Sequence, residues 1–206
     1  MNKTIHSNVI DPQKSYTFHD YFKLNPPIDE LIQYFGYQHQ VQNYQLPQTE
    51  IDENYFASLH QELSEILLYV DLNNETARRE ALIAPVIFNL ARYLKMKVRI
   101  EYALNVTEQL RGKLDYLLRT DTSFLVVEAK DENLERGFIQ LAAELIALDQ
   151  WQEHECPLLY GAVSIGRMWQ FGVLERDTKR IIQDLNMFRV PADLSPLLQV
   201  LAAILR

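Results

Sequence analysis

From Ile51 to Tyr69 the apolar residues Phe56, Leu59, Leu63, Ile66 and Leu67 recur at helical spacing, and a helix is expected there. A second helix should run from about Asn74 to Leu94, where Leu82, Val86, Leu90 and Tyr93 share a face. Pro85 inside it predicts a kink or break, because its ring removes a backbone hydrogen bond. The period then changes. Lys97 to Tyr102 alternates polar and apolar residues, as a half-buried strand does. Lys113 to Arg119 and Ser123 to Ala129 read as two more strands around a polar turn at Asp121-Thr122. A helix from Leu134 to Gln152 should lay Leu134, Phe138, Leu141 and Leu145 on the sheet. Leu159 to Ile165 and Met168 to Leu174 form a strand pair turned at Gly166-Arg167, with a last strand at Lys179 to Leu185 and a closing helix at Leu194 to Leu205. A helix as long as the one at Leu134 bridges parallel strands, so Leu159 to Ile165 should run parallel to a central strand.

Residues 1–50 are rich in Asn, Gln, Tyr and Pro and show no sustained period. Only Pro27 to Phe35 suggests a short helix, closed by Gly36. The expectation is an extended N-terminal arm over residues 1–50, packed on one domain spanning 51–206. The element order, α-β-β-β-α-β-β, gives an α/β class with a mixed β-sheet flanked by helices.

The even hairpin register carries the chemistry. If Asp121-Thr122 is the turn, Thr120 pairs with Ser123, Asp115 falls opposite Glu128, and Lys113 falls opposite Lys130. Paired residues point to one face with β-carbons about 5 Å apart, and Lys130, two residues from Glu128, shares that face. Two carboxylates this close raise one another's pKa unless a cation lies between them. Hard oxygen donors suit Mg²⁺ or Mn²⁺. Glu-x-Lys alone arises about once by chance in a chain this long. The combination is rarer: an apolar strand ending in Glu-Ala-Lys, a carboxylate across from it, and an amphipathic helix after it.

The run GKLDYLLRTDTSFLVVEAK, residues 112–130, resembles motifs II and III of the PD-(D/E)xK nuclease superfamily. NETARREALIAPVIFNL, residues 74–90, is similar to the motif I helix of proteins related to the N-terminal nuclease domain of type I restriction enzyme R subunits. Leu159 to Leu174 resembles that group's Gly-Val…Gly-x-x-Trp strand pair. The similarity spans residues 74–175, with Leu114 standing where a proline often precedes the aspartate. The resemblance implies a restriction-endonuclease-like core and a Mg²⁺- or Mn²⁺-dependent nuclease acting on nucleic acid, DNA foremost. It implies Asp115, Glu128, Glu75 and the Ala129 carbonyl as metal ligands, Lys130 acting on the attacking water, and Gln140 at the position of the helix glutamine. For Glu75 the alternative is an acid placed by the helix dipole, with Glu80 as its rival. Trp169 reads first as a core residue. Sites of this kind often dimerise to cut two strands, so a homodimer stays open.

Bulk properties narrow the picture. The chain has 206 residues, 48% of them hydrophobic and 23% charged, enough for one sizeable core. No apolar stretch reaches the length of a membrane helix, so no membrane role is expected. The polar stretch from Met1 to Tyr16 lacks the apolar core of a secretory signal. The single cysteine, Cys156, cannot form an internal disulfide, and a reducing cytoplasm is the expected home. A zinc reading of His154-Glu155-Cys156 fails for want of a fourth ligand. The net charge of −8 runs against a protein that grips nucleic acid over its whole surface. Arg78, Arg79, Lys113, Arg136 and Arg167 are the candidates for a local basic patch. The rival reading is a catalytically silent nuclease-like fold that serves as a nucleic-acid-binding or assembly module.

Overall fold

The computed structural model describes residues 10–120, 123–130, 133–151 and 156–206. Seven strands lie among these: β1 (Gln38–Gln42), β2 (Val98–Asn105), β3 (Arg111–Arg119), β4 (Phe124–Ala129), β5 (Leu158–Ser164), β6 (Met168–Glu175) and β7 (Arg180–Arg189). They form one mixed sheet in the order β1-β7-β6-β5-β4-β3-β2. β4 and β5 pair in parallel, as the crossover helix requires, and so do β1 and β7; the remaining neighbours are antiparallel. Helices α1 (Phe18–Leu24), α2 (Ile28–Tyr34) and α6 (Leu134–Trp151) cover one face. Helices α3 (Glu53–Ile66), α5 (Ala84–Leu94) and α7 (Leu194–Ile204) cover the other, and the short α4 (Glu75–Arg78), with no buried residue, precedes α5. No helix among the described residues is long and apolar enough to cross a membrane.

Strand alternation divides the core. Leu125, Val127 and Ala129 of β4 join Trp169 and Phe171 in the cluster under α5 and α7, whereas Val126 joins Leu159 and Leu174 under α6. Trp169 is fully buried there, a core residue. The break expected at Pro85 is a π-helical turn, Arg79–Ile83, between α4 and α5. The proline ring would collide with the carbonyl four residues back, and a widened turn just ahead of it relieves that contact.

The N-terminal segment departs from an extended arm. Thr17 and Asp20 form a reciprocal capping box that starts α1, and Asn25, in the left-handed conformation, ends it. Pro27 then opens α2, and β1 adds the edge strand beside β7. Phe18, Tyr21, Leu31 and Ile32 all lie in the core beneath these elements. This cover explains why α6 is not merely amphipathic: every residue from Gly137 to Leu148 is buried, because the sheet takes one side and α1 and α2 take the other. The Asp121-Thr122 turn, the Gln152 end of the helix, and His154 and Glu155 lie outside the described residues.

Leu141, fully buried on the sheet side of α6, sets a stability prediction. Leu141→Ala should cost roughly 2–5 kcal/mol in urea denaturation. A loss under about 1 kcal/mol would contradict this packing.

Candidate active site

The β3–β4 ladder runs Arg119–Phe124, Leu118–Leu125, Leu117–Val126, Tyr116–Val127, and the Thr120 N–H reaches the Ser123 carbonyl at 3.0 Å. This is the even register read from the sequence, and continuing it sets Asp115 against Glu128. The strands part at that point: the Ala129 N–H donates to Asp115 Oδ2 at 2.9 Å. On the other side of β3 the pairing with β2 passes from Ile100–Tyr116 to Tyr102–Leu114, and the intervening Glu101 takes φ = 48°. Such a φ is strained for a residue with a side chain. The alternation of β3 also breaks here, since Leu114 and Leu117 enter the same core cluster and Tyr116 the opposite one. Asp115 therefore sits at a kink in an otherwise regular sheet.

Around this kink is a cavity of about 320 Å³, lined by Glu75, Asp115, Glu128, Lys130, Gln140 and His19, among others. Glu128 and Lys130 are almost completely buried. The Lys130 ammonium donates to Glu128 Oε1, and to the Ala129 carbonyl at 3.0 Å. It lies 3.8 Å from Glu75 Oε2 and 5.2 Å from the centre of the Phe22 ring. Gly137, in the first turn of α6, permits this approach, because a β-carbon there would stand 3.1 Å from Lys130 Cγ and 2.5 Å from Val163 Cγ2. The Gln140 amide donates to Glu128 Oε1 at 2.6 Å and to Glu144 Oε1 at 2.9 Å. Five buried side-chain polar atoms among the described residues lack a partner, and three of them are Glu128 Oε2, Gln140 Oε1 and Glu144 Oε2. Buried unsatisfied groups are rare, and three of the five are concentrated here.

Burial and then the nearby Asp115 charge push Glu128 up to about 7, against the pull of Lys130. Burial and the Glu128 charge hold Glu144 well above the ordinary carboxylate range. Burial works to depress Lys130, but Glu128, Glu75 and Asp115 outweigh it and keep the ammonium charged. Burial, then Lys130, lowers His19 below its usual imidazole value.

Asp115, Glu128, Lys130, Gln140 and Glu75 thus line one cavity. The Ala129 carbonyl belongs to the same cluster, but its recorded partner is Lys130. Glu80 turns instead toward Arg79, at 3.5 Å. The basic residues do not form a single patch. Arg79 lies 3.9 Å from Asp115 and 3.7 Å from Glu101, Lys113 pairs with Glu101 at 2.9 Å, and Arg78 and Arg167 face a different depression. Three side chains at or behind the cavity escaped the sequence reading: His19 and Phe22 on α1, and Glu144 behind Gln140. The last was legible, since it follows Gln140 by four residues and so shares its helix face. No group of three His, Cys, Asp or Glu side chains among the described residues is disposed to hold a metal. The chain matches no protein-family model, no curated protein and no solved structure.

The buried carboxyls set a pH prediction. Glu144 binds its proton more tightly in the folded chain than in the unfolded one. Its contribution to stability is therefore full below the ordinary carboxylate range and is lost as pH rises. Lys130 is charged in both states across this interval and adds no slope, whereas His19 acts in the opposite sense. Glu128, raised in the same sense, titrates together with Glu144, so the difference between Glu144→Gln and the parent reports the loss of one carboxyl from the pair. In metal-free buffer the stability of the variant relative to the parent should grow between about pH 5 and pH 8. Urea denaturation at several pH values measures it, and a flat or falling difference would contradict a protonated Glu144.

Proposed function

We propose that this chain is a metal-dependent nuclease with a restriction-endonuclease-like core, hydrolysing phosphodiester bonds in nucleic acid, DNA foremost. The observation that carries the reading is the meeting of Asp115, Glu128 and Lys130 in one cavity, at the point where β3 and β4 part. The donors available are the Asp115 and Glu128 carboxylates and the Ala129 carbonyl, with Glu75 at the mouth, 40% exposed. These are hard oxygens, and Glu128 Oε2 is buried without a partner. Mg²⁺ commonly uses only one or two carboxylates and keeps several waters, so a pair of acids fits it without a third.

When bound, such an ion supplies Lewis acidity to a phosphoryl oxygen and a lowered pKa to a bound water. Asp115 and Glu128 would hold it, and the Ala129 carbonyl would complete the protein's share. Gln140 fixes the Glu128 carboxylate through its amide, and so acts as a positioning residue. The Lys130 ammonium offers donors at the same spot: it would orient the attacking water and offset the negative charge that grows on the phosphorus-bound oxygens. Phe22 lies over the lysine and shields that charge from solvent.

One observation favours a second reading, a silent nuclease-like module. Lys130 is bonded to both Glu128 Oε1 and the Ala129 carbonyl, so two of the oxygens a cation would need are already satisfied by the protein. Variants separate the two readings. Asp115→Asn should abolish calorimetric binding of Mg²⁺ or Mn²⁺ and DNA cleavage together, because an amide lacks the charge that holds a hard cation. Lys130→Ala should bind the ion as well or more tightly while turnover falls by roughly 10²–10⁴-fold. Cleavage by Lys130→Ala at the parental rate contradicts the assigned role. Failure of the parent to cut in either metal favours the silent module.

A further inference from the structure

A chain of net charge −8 needs a local means of holding a polyanion, and the cleft does not supply it, since Arg79 and Lys113 are turned onto acids. A second depression, of about 500 Å³, is lined by Arg78 and Arg167, with Asp71 the acid in its wall among the described residues. Two stretches of chain link its wall to the residues of the cleft. Arg78 follows Glu75 by one helical turn. Ser164, which pairs with Ala129 and accepts the Lys130 N–H at 2.8 Å, stands three residues before Arg167.

The two arginines are brought together by the turn between β5 and β6. Gly166 has φ = 83°, and a β-carbon there would lie 2.9 Å from Leu82 Cδ1 and 3.3 Å from Arg78 Cβ. Only glycine lets the turn press so closely on the helix. Arg78 Nε donates to the Leu72 carbonyl at 2.8 Å, which fixes its guanidinium against the loop joining α3 to α4. Arg167 is exposed. The same loop carries Leu68 and Tyr69, 76% and 81% exposed. In the chain Tyr69 stands between Leu67 and Val70, both in the wall of the depression.

We propose that this groove is the track along which one unpaired strand of the substrate leaves the cleft, with Arg78 and Arg167 on its phosphates and Tyr69 stacked on a base. The inference rests on the nuclease reading and adds to it the form of the substrate. Guanidinium forks match phosphate oxygens. An exposed ring stacks only on a base whose face is free, which selects a single strand or an overhang over an intact duplex.

Binding in EDTA tests the groove apart from the catalysis. A labelled single-stranded oligonucleotide is titrated with the full chain and followed by fluorescence anisotropy at several salt concentrations. Arg167→Ala should weaken binding and reduce the slope of log affinity against log salt by about 0.7, the share of one phosphate contact on a single strand. Tyr69→Ala should weaken binding roughly five- to a hundredfold without changing that slope. Both side chains are exposed, so neither change disturbs the core. Lys97→Ala, before β2 at the far end of the sheet, should behave as the parent. Parental affinity and slope in Arg167→Ala and Tyr69→Ala, or no binding by the parent, overturns the proposal. Cleavage by the parent together with unaltered binding in these variants rejects the groove and leaves the nuclease. Binding lost as expected in a parent that never cuts upholds the groove and rejects only the catalysis.

Discussion

The local structure around the cleft follows from one constraint: a lysine and two glutamates are taken out of water beside the end of β4. Desolvation of such groups costs several kcal/mol for each ion, so each must be neutralised or bonded. Lys130 and Glu128 compensate one another, Gln140 bridges Glu128 to Glu144, and Glu144 keeps its proton. This arrangement needs α6 pressed against the strand ends, which Gly137 allows, and α1 laid over the lysine, which Phe22 and the buried Phe18 and Tyr21 secure. The N-terminal segment is thus part of the wall of the site. Without it, the outer side of α6 and the lysine would meet solvent.

The second constraint is the kink at Asp115. In a regular ladder the Ala129 N–H would bond to a backbone carbonyl of β3; here it bonds to a carboxylate. The side chain is thereby held within the sheet's own hydrogen-bond pattern, and Glu101 carries the strain in its left-handed backbone. A sheet that parts at one end creates a cavity among strand termini, where side chains of different strands converge without a loop to place them. This gives rigid placement to the groups that would do the chemistry.

Much of this was legible in the sequence, for identifiable reasons. The hairpin register followed from an even number of loop residues, which sets Asp115 opposite Glu128, and the parallel setting of β5 beside β4 followed from the length of α6. The break before Pro85 followed from proline chemistry. Of the N-terminal elements, α2 was legible from Pro27 and Gly36 at its ends, whereas α1, of seven residues, and β1, of five, are too short for a hydrophobic period to declare itself. The capping pattern Thr17-x-x-Asp20 was nonetheless present and marks the start of α1. Likewise, no periodicity shows a strand kink, which arises from tertiary twist, or predicts that His19 would lie beside Lys130, more than a hundred residues away in the chain. Glu144 was legible from its place four residues after Gln140, and only the ordinary assumption that a glutamate on a helix faces water set it aside.

The central claim is that Asp115 and Glu128 together hold a divalent cation that Lys130 then serves. Crystals soaked in Mn²⁺ and measured at a wavelength where manganese scatters anomalously would locate the ion directly. The expected result is an anomalous peak roughly 2 Å from oxygens of Asp115, Glu128 and the Ala129 carbonyl, with the Lys130 ammonium moved off that carbonyl. A map with no peak in the cavity, and Lys130 still bonded to Glu128 and Ala129 at saturating Mn²⁺, would contradict it.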